Sequence, residues 1–363
     1  MPRVTKKTVK SIPYARGFKR PSKQQQNVAI GSTTHRAYKV DIESFFPDLP
    51  LPSSPDDWLA QYAEKGQTVE EFRSSTPWLS NRKLVRYGGC FEKSGRTMKE
   101  KYPGSKITLV EIIMENEEER IKPDLEKLCS YSSTFLQVAV EKMPPIKIKR
   151  EGEILSVTNY PKHRLQYREE GNKIQLCCSS VLSLLRSIIG SQALCLVAVT
   201  MCDLYQDKTD LFIAGLAQGN RRVAVFSFCR YDPALAFSQE FWYEQTSKNT
   251  NTDLRIKTIQ ARSSKILVHE ICHLLGLDHC IYFACVMNGS GHLAEDYSQP
   301  HHLCPVCLRK LSLLTGLCET DRYQELESEY KAMGCTEEET WCGARAATLN
   351  RNTKQVSQDE VVI

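Results

Sequence analysis

The chain has 363 residues, 25% of them charged and 41% hydrophobic. This is an ordinary globular balance that excludes a mostly disordered, collagen-like or coiled-coil chain. The formal charge of +5 conceals a division: residues 1–40 carry ten basic side chains and no acidic one, leaving 38 basic against 43 acidic residues in the remainder. The remainder therefore has no compositional reason to seek nucleic acid. Fifteen cysteines, an odd count in a chain without an apolar leader, argue against a secreted disulfide scaffold. The longest largely apolar run, Ala193 to Cys202, is roughly half of a membrane span. Together these features point to a reduced, intracellular protein, cytoplasmic or nuclear, with no membrane partner.

In chain order, residues 1–40 are polar, basic and interrupted by Pro2, Pro13 and Pro21, so a disordered tail is expected. Residues 41–105 form an extension of unknown role, with Pro clusters and a short helix predicted around Asp56 to Ala63. Ile107 to Met114 reads as a buried strand, Pro123 to Met143 as a helix with Pro123 in its first turn, and Ile146 to Lys149 as a half-exposed strand. Ser179 to Ile189 has the apolar spacing of a helix ended by Gly190. Leu194 to Met201 should be a central strand buried on both faces. Phe212 to Leu216 and Val223 to Cys229 follow as strands about the turn Gln218-Gly219-Asn220. The alternation predicts an α/β layered fold, with a catalytic domain at 106–318 and a helix and polar tail at 319–363.

The stretch that carries chemistry is His269-Glu270-Ile271-Cys272-His273-Leu274-Leu275-Gly276-Leu277-Asp278-His279. On a helix His269 and His273 stand about 40° apart on adjacent turns and can grip one metal ion. Glu270 lies one step round, within reach of a metal-bound water. Leu267, Ile271, Leu274 and Leu275 form the buried back. Gly276 can end the helix in the left-handed conformation, so that His279 returns as third ligand. Three imidazoles leave the fourth tetrahedral position of zinc for water, which Glu270 can deprotonate as general base. The reaction implied is hydrolysis of a peptide bond.

His-Glu-x-x-His-x-x-Gly-x-x-His followed by Met287 resembles the metzincin metallopeptidases. The continuation Cys280, Cys285-Val286-Met287 and Cys304-Pro305-Val306-Cys307 is similar to the archaemetzincin family in particular. The likeness extends upstream through Asp210–Leu216 and Arg222–Arg230, and weakly to Ser54–Trp58. It implies a metzincin-like fold with a twisted mixed sheet, an active-site helix and a methionine beneath the zinc. Cys280 with Cys285 and Cys304 with Cys307 also have, on their own spacing, the pairing of a closed four-thiolate site. A structural Zn2+ at 280–307 beside a catalytic Zn2+ makes two per chain, a division the resemblance also implies. Glu295, Asp296 and the lack of basic residues between the pairs weigh against a nucleic-acid-binding zinc ribbon.

His292, His301 and His302 are expected to be solvated, with support of the metal site as the other reading for His292, and Asp278 stands open between orienting His279 and facing water. Some metzincins carry an oxyanion-stabilising tyrosine where this chain has Gly289, so that role is unassigned. Cys177, Cys195, Cys202, Cys229 and Cys272 read as small core residues. Phe212 to Leu216 lies where metzincins pair an extended peptide; Tyr231 to Arg255, with Phe237, Phe241, Trp242 and Tyr243, is a candidate cleft wall. The expected partner is a peptide or protein substrate, with amino-terminal trimming and internal cleavage both open. The alternative is a zinc-stabilised interaction protein with a vestigial site.

Overall fold

The computed structural model describes residues 4–5, 18–31, 44–115, 121–170, 173–237, 245–247 and 251–359. Ten strands form one mixed sheet: β1 (Lys106–Met114), β2 (Val140–Lys142), β3 (Ile146–Glu151), β4 (Ile154–Val157), β5 (Arg164–Glu170), β6 (Lys173–Cys177), β7 (Ala193–Thr200), β8 (Asp203–Tyr205), β9 (Gly215–Gln218) and β10 (Val223–Ser227). Their order is β9-β10-β7-β1-β3-β4-β5-β6-β8, with β2 also pairing with β1. The centre is parallel, β10 with β7 and β7 with β1, while β9 and β4 pair antiparallel with β10 and β3.

Every residue of β7 is buried, as its unbroken apolar sequence requires of a strand covered on both faces. The pleat sends Cys195, Val197 and Val199 into one core with the helices Leu125–Leu136 and Thr252–Leu274. Leu196 and Ala198 go to the other side, with the helix Cys178–Ile188. The first core also takes Ala29, Phe46, Trp58, Trp78 and Ala346, so segments from both ends of the chain contribute to it.

Four expectations are corrected. Within the predicted tail, Lys23–Ile30 is a helix opened by a reciprocal cap between Ser22 and Gln25. Ala29 and Ile30 are buried, and Gln26 donates to the Tyr282 carbonyl at 2.7 Å; composition averaged over forty residues hides so short an amphipathic segment. The tail's other residues lie largely outside the described ones. The helix predicted to Met143 ends at Leu136, because Gln137 turns left-handed at φ 54° and Val140–Lys142 becomes β2 beside Ile107. The strand predicted at Phe212–Leu216 is divided into Asp210–Phe212 and β9. The C-terminal segment holds two helices, Glu319–Met333 and Thr336–Asp359, parted by Gly334 at φ 73°. Among the described residues no helix is long and apolar enough to cross a membrane.

Candidate active site

The helix Thr252–Leu274 packs Leu267, Ile271 and Leu274 into the core, and Leu275 just beyond it is buried as well. Its polar front is enclosed too: His269 is 4% and Glu270 5% exposed. Gly276 follows at φ 96°, a left-handed turn that returns the chain towards the helix and brings His279 to the other two histidines. The three imidazoles meet with ring centroids 4.6, 4.8 and 5.7 Å apart.

Their hydrogen bonds fix the tautomers. His269 Nδ1 lies 2.6 Å from the Val286 carbonyl and His273 Nδ1 2.6 Å from the Leu277 carbonyl. A carbonyl only accepts, so both Nδ1 atoms carry hydrogen and both Nε2 atoms present lone pairs. Those two Nε2 atoms are 3.0 Å apart, a repulsive approach unless a cation stands between them. Two ligands about 2.05 Å from zinc at a tetrahedral angle would be about 3.3 Å apart. His279 Nε2 is buried with no hydrogen-bond partner. The donor set therefore fits a bound metal ion.

Burial, helped by the neighbouring imidazoles, pushes His269 well below the usual histidine range and His273 to about 3. Both are thus neutral, the form that ligates. Burial lifts the Glu270 carboxyl above the usual glutamate value.

The extension at 41–105 builds the rim of this site. Trp78 Nε1 donates to the Leu274 carbonyl at the end of the helix, and Gln67 bridges the turn by donating to Gly276 O and accepting from Asp278 N. Asp278 is exposed; the carboxylate on His279 is instead Glu64, with Oε1 3.0 Å from Nδ1. Trp58 Nε1 donates to the same oxygen at 3.1 Å, and the indole meets the His279 ring edge-on at 5.3 Å. Gly289 makes room for that indole, since a Cβ there would stand 2.3 Å from Trp58 Cε2. Nothing in the local sequence around Glu64 signals this role.

Cys280, Cys285, Cys304 and Cys307 are all buried with their sulfurs within 4.8 Å of one another. Burial opposes charge on Cys280, yet the thiols of Cys285, Cys304 and Cys307 hydrogen-bond to its sulfur and hold it well below the usual thiol range. Four buried sulfurs gathered this closely suit a closed metal site. The loop bearing Met287 is tied to it: Cys280 N donates to Met287 O at 2.7 Å. Asn288, a residue the sequence does not single out, accepts from Cys285 N and donates to Cys280 O and Phe283 O. Met287 itself is fully buried.

The loop histidines are not solvated as expected. His302 stacks on Trp341 at 4.0 Å, and burial takes His301 and His302 to about 3. His292 Nδ1 accepts from Glu295 N and its Nε2 donates to Asp57 Oδ1 at 3.1 Å. Asp57, His292 and Glu295 bring donor atoms within 4.8 Å of one another. Backbone N–H groups of Ser53 and Ser54 on Asp57, and of Trp58 and Gly291 on Glu295, account for that cluster without a cation. Asp57 stands at the N-cap of the helix Trp58–Gln61 but makes no side-chain cap bond there, and holds this junction instead. Cys177, Cys195, Cys202 and Cys272 are buried, while Cys229 is partly exposed. The aromatic residues Phe241, Trp242 and Tyr243 of the candidate cleft wall lie outside the described residues, as does the side chain of Phe237.

The model of Peptidase family M54 matches residues 234–313, a span that includes all three histidines, Glu270, Met287 and the four cysteines. Archaemetzincin-2 of Pongo abelii is 30% identical over 291 residues, covering 75% of this chain and 71% of that protein. The chain belongs to the archaemetzincin family. It is thus a member of a family of zinc metallopeptidases. Archaemetzincin-2 of Homo sapiens is 28% identical over 292 residues, with the same coverage of 75% and 71%. A crystal structure of archaemetzincin from Methanopyrus kandleri is 21% identical with a TM-score of 0.39, covering 58% of this chain and 96% of that one.

Proposed function

We propose that this archaemetzincin hydrolyses peptide bonds on a metzincin-type fold, with a catalytic zinc held by His269, His273 and His279 and with Glu270 as general base. The observation that carries the reading is the tautomer pattern: three Nδ1 atoms engaged by Val286 O, Leu277 O and Glu64, with the Nε2 atoms of His269 and His273 3.0 Å apart and that of His279 buried without a partner. When bound there, zinc supplies Lewis acidity that polarises the scissile carbonyl and acidifies a water. Glu270 takes the proton of the attacking water on its carboxylate and returns it to the leaving amine. Its burial favours that exchange, since a carboxyl raised above the usual glutamate value is the stronger base towards the water proton.

Cys280, Cys285, Cys304 and Cys307 hold a second, structural zinc that keeps the chain after His279 and the loop of Met287 in place. The substrate lies along β9. That strand pairs only with β10 among the described strands and is partly exposed throughout its length, which leaves its other edge to pair with an extended peptide. The test is incubation of a peptide library with the purified chain, with Glu270→Ala as blank. Turnover should require Glu270, and metal analysis should find two zinc ions in both proteins. Retained turnover in the variant, or one zinc or none in the wild type, would refute the assignment.

A further inference from the structure

The N-terminal segment is joined to the candidate zinc site by more than apolar packing. Trp58 is 2% exposed, and its backbone N–H donates at 2.9 Å to Glu295 Oε2, which also takes the Gly291 N–H. Asp57 beside it accepts from Ser53 N, Ser54 N and His292 Nε2. Gly291, like Gly289, has no room for a side chain, because a Cβ there would stand 2.1 Å from Asp56 O. The segment is thus interlocked with the loop that follows Met287, and the interlock aims one group at the histidines. Glu64 Oε1 accepts from His279 Nδ1 at 3.0 Å and from Trp58 Nε1 at 3.1 Å.

The three histidines differ in this respect. His269 and His273 donate to backbone carbonyls of the loop 277–286, whereas His279 donates to a carboxylate 215 residues earlier in the chain. His279 also differs in standing beyond the helix, so no helical backbone sets its ring orientation. A carboxylate on Nδ1–H fixes the tautomer, holds the ring and strengthens the imidazole as a ligand at Nε2. The Trp58 N–H on the same oxygen holds the carboxylate in turn.

We propose that Glu64 is the positioning residue of the third zinc ligand, and that the segment around it is thereby a working part of the metal site. This rests on the three-histidine zinc reading. The consequence is a division between the two metals: loss of Glu64 should weaken the histidine-bound ion and leave the thiolate-bound ion unchanged.

The experiment uses the full chain, wild type, Glu64→Ala and Glu64→Gln, loaded with zinc and equilibrated against graded chelator, with metal counted per chain. Removing such a partner typically costs about 10–100-fold in metal affinity. Glu64→Ala should therefore release one zinc at about 10–100-fold lower chelator strength and keep the other. Glu64→Gln, which retains an acceptor oxygen, should recover a large part of that loss. In cobalt-loaded protein the ligand-field bands of the histidine site should shift in Glu64→Ala, while the sulfur-to-cobalt charge-transfer band stays in place. A merely structural role would move both together. Release from Glu64→Ala at the wild-type chelator strength, or loss of both ions together in both variants, overturns the proposal alone. A wild type that keeps only the thiolate-bound ion overturns the zinc reading and the proposal with it.

Discussion

Replacing Gly289 by Ala tests the contact between the N-terminal segment and the loop after Met287. Gly289 does not have a positive φ, so the substitution carries no backbone strain and its cost is steric. The new Cβ would stand 2.3 Å from Cε2 and 2.4 Å from Nε1 of Trp58. Ordinary carbon contacts lie near about 3.5–4.0 Å, so the indole must move by more than about 1 Å. It is a rigid, buried ring whose N–H bond to Glu64 is already 3.1 Å long, and that bond will not survive the shift. Overpacking costs about 1–3 kcal/mol and the lost hydrogen bond about 1 kcal/mol. The stiffer unfolded chain returns about 0.4–1 kcal/mol, so a net loss of about 2 kcal/mol is expected. Trp58→Ala should cost about 3–5 kcal/mol by itself. Once the indole is gone, the methyl group added at position 289 meets open space, and the double variant should be no less stable than Trp58→Ala. The coupling of about 2 kcal/mol stands well above the roughly 0.3–0.5 kcal/mol scatter of independent sites. Urea unfolding of the four zinc-loaded proteins, compared at a common slope, measures it. An equal penalty for Gly289→Ala in both backgrounds would refute the interlock.

Cys304→Ser should reduce the zinc content from two ions to one and lower the melting temperature by about 5–15 °C, the shift that corresponds to a loss of ~3–5 kcal/mol in a domain of this size. Gly276→Ala forces a side chain to φ 96° and should cost about 1–2 kcal/mol in urea unfolding. Gln26→Ala leaves the Tyr282 carbonyl unpaired and should cost about 1–2 kcal/mol, whereas Lys23→Ala removes only an exposed ion pair with Asp48 and should change stability by less than about 0.5 kcal/mol. His301 is held near 3 by burial, against a reference of 6.5. The unfolded chain therefore binds its proton first as pH falls, so the stability His301 contributes is complete above about pH 6.5 and is lost from there towards about pH 3. The charge of Lys265 and the neighbouring His302 push the His301 value in the same direction. Between about pH 7 and pH 5 the wild type should lose ~2 kcal/mol more than His301→Gln in paired urea titrations.

The central strands are legible because burial on both faces demands unbroken apolar runs, and Ala193–Thr200 has one. The helix 125–136 reads too long because Val138 and Val140 continue an apolar pattern through a change of structure. Only the left-handed Gln137 and the pairing of β2 with β1 end it there. His301 and His302 look like loop residues, yet Glu338, which faces the first, and Trp341, which stacks on the second, come from the last helix.

By itself the sequence determined what depends on spacing along one element. His269, Glu270 and His273 share a helix, Gly276 permits the turn, and His279 and the cysteine pairs lie a short way beyond, so local geometry nearly dictates their meeting. Only the tertiary structure decided what surrounds them. Glu64 reaches His279 across 215 residues, and Trp58 fills the space that Gly289 vacates. Such contacts leave no periodic trace, because the partners are chosen by the packing of distant segments and not by the backbone period that joins neighbours.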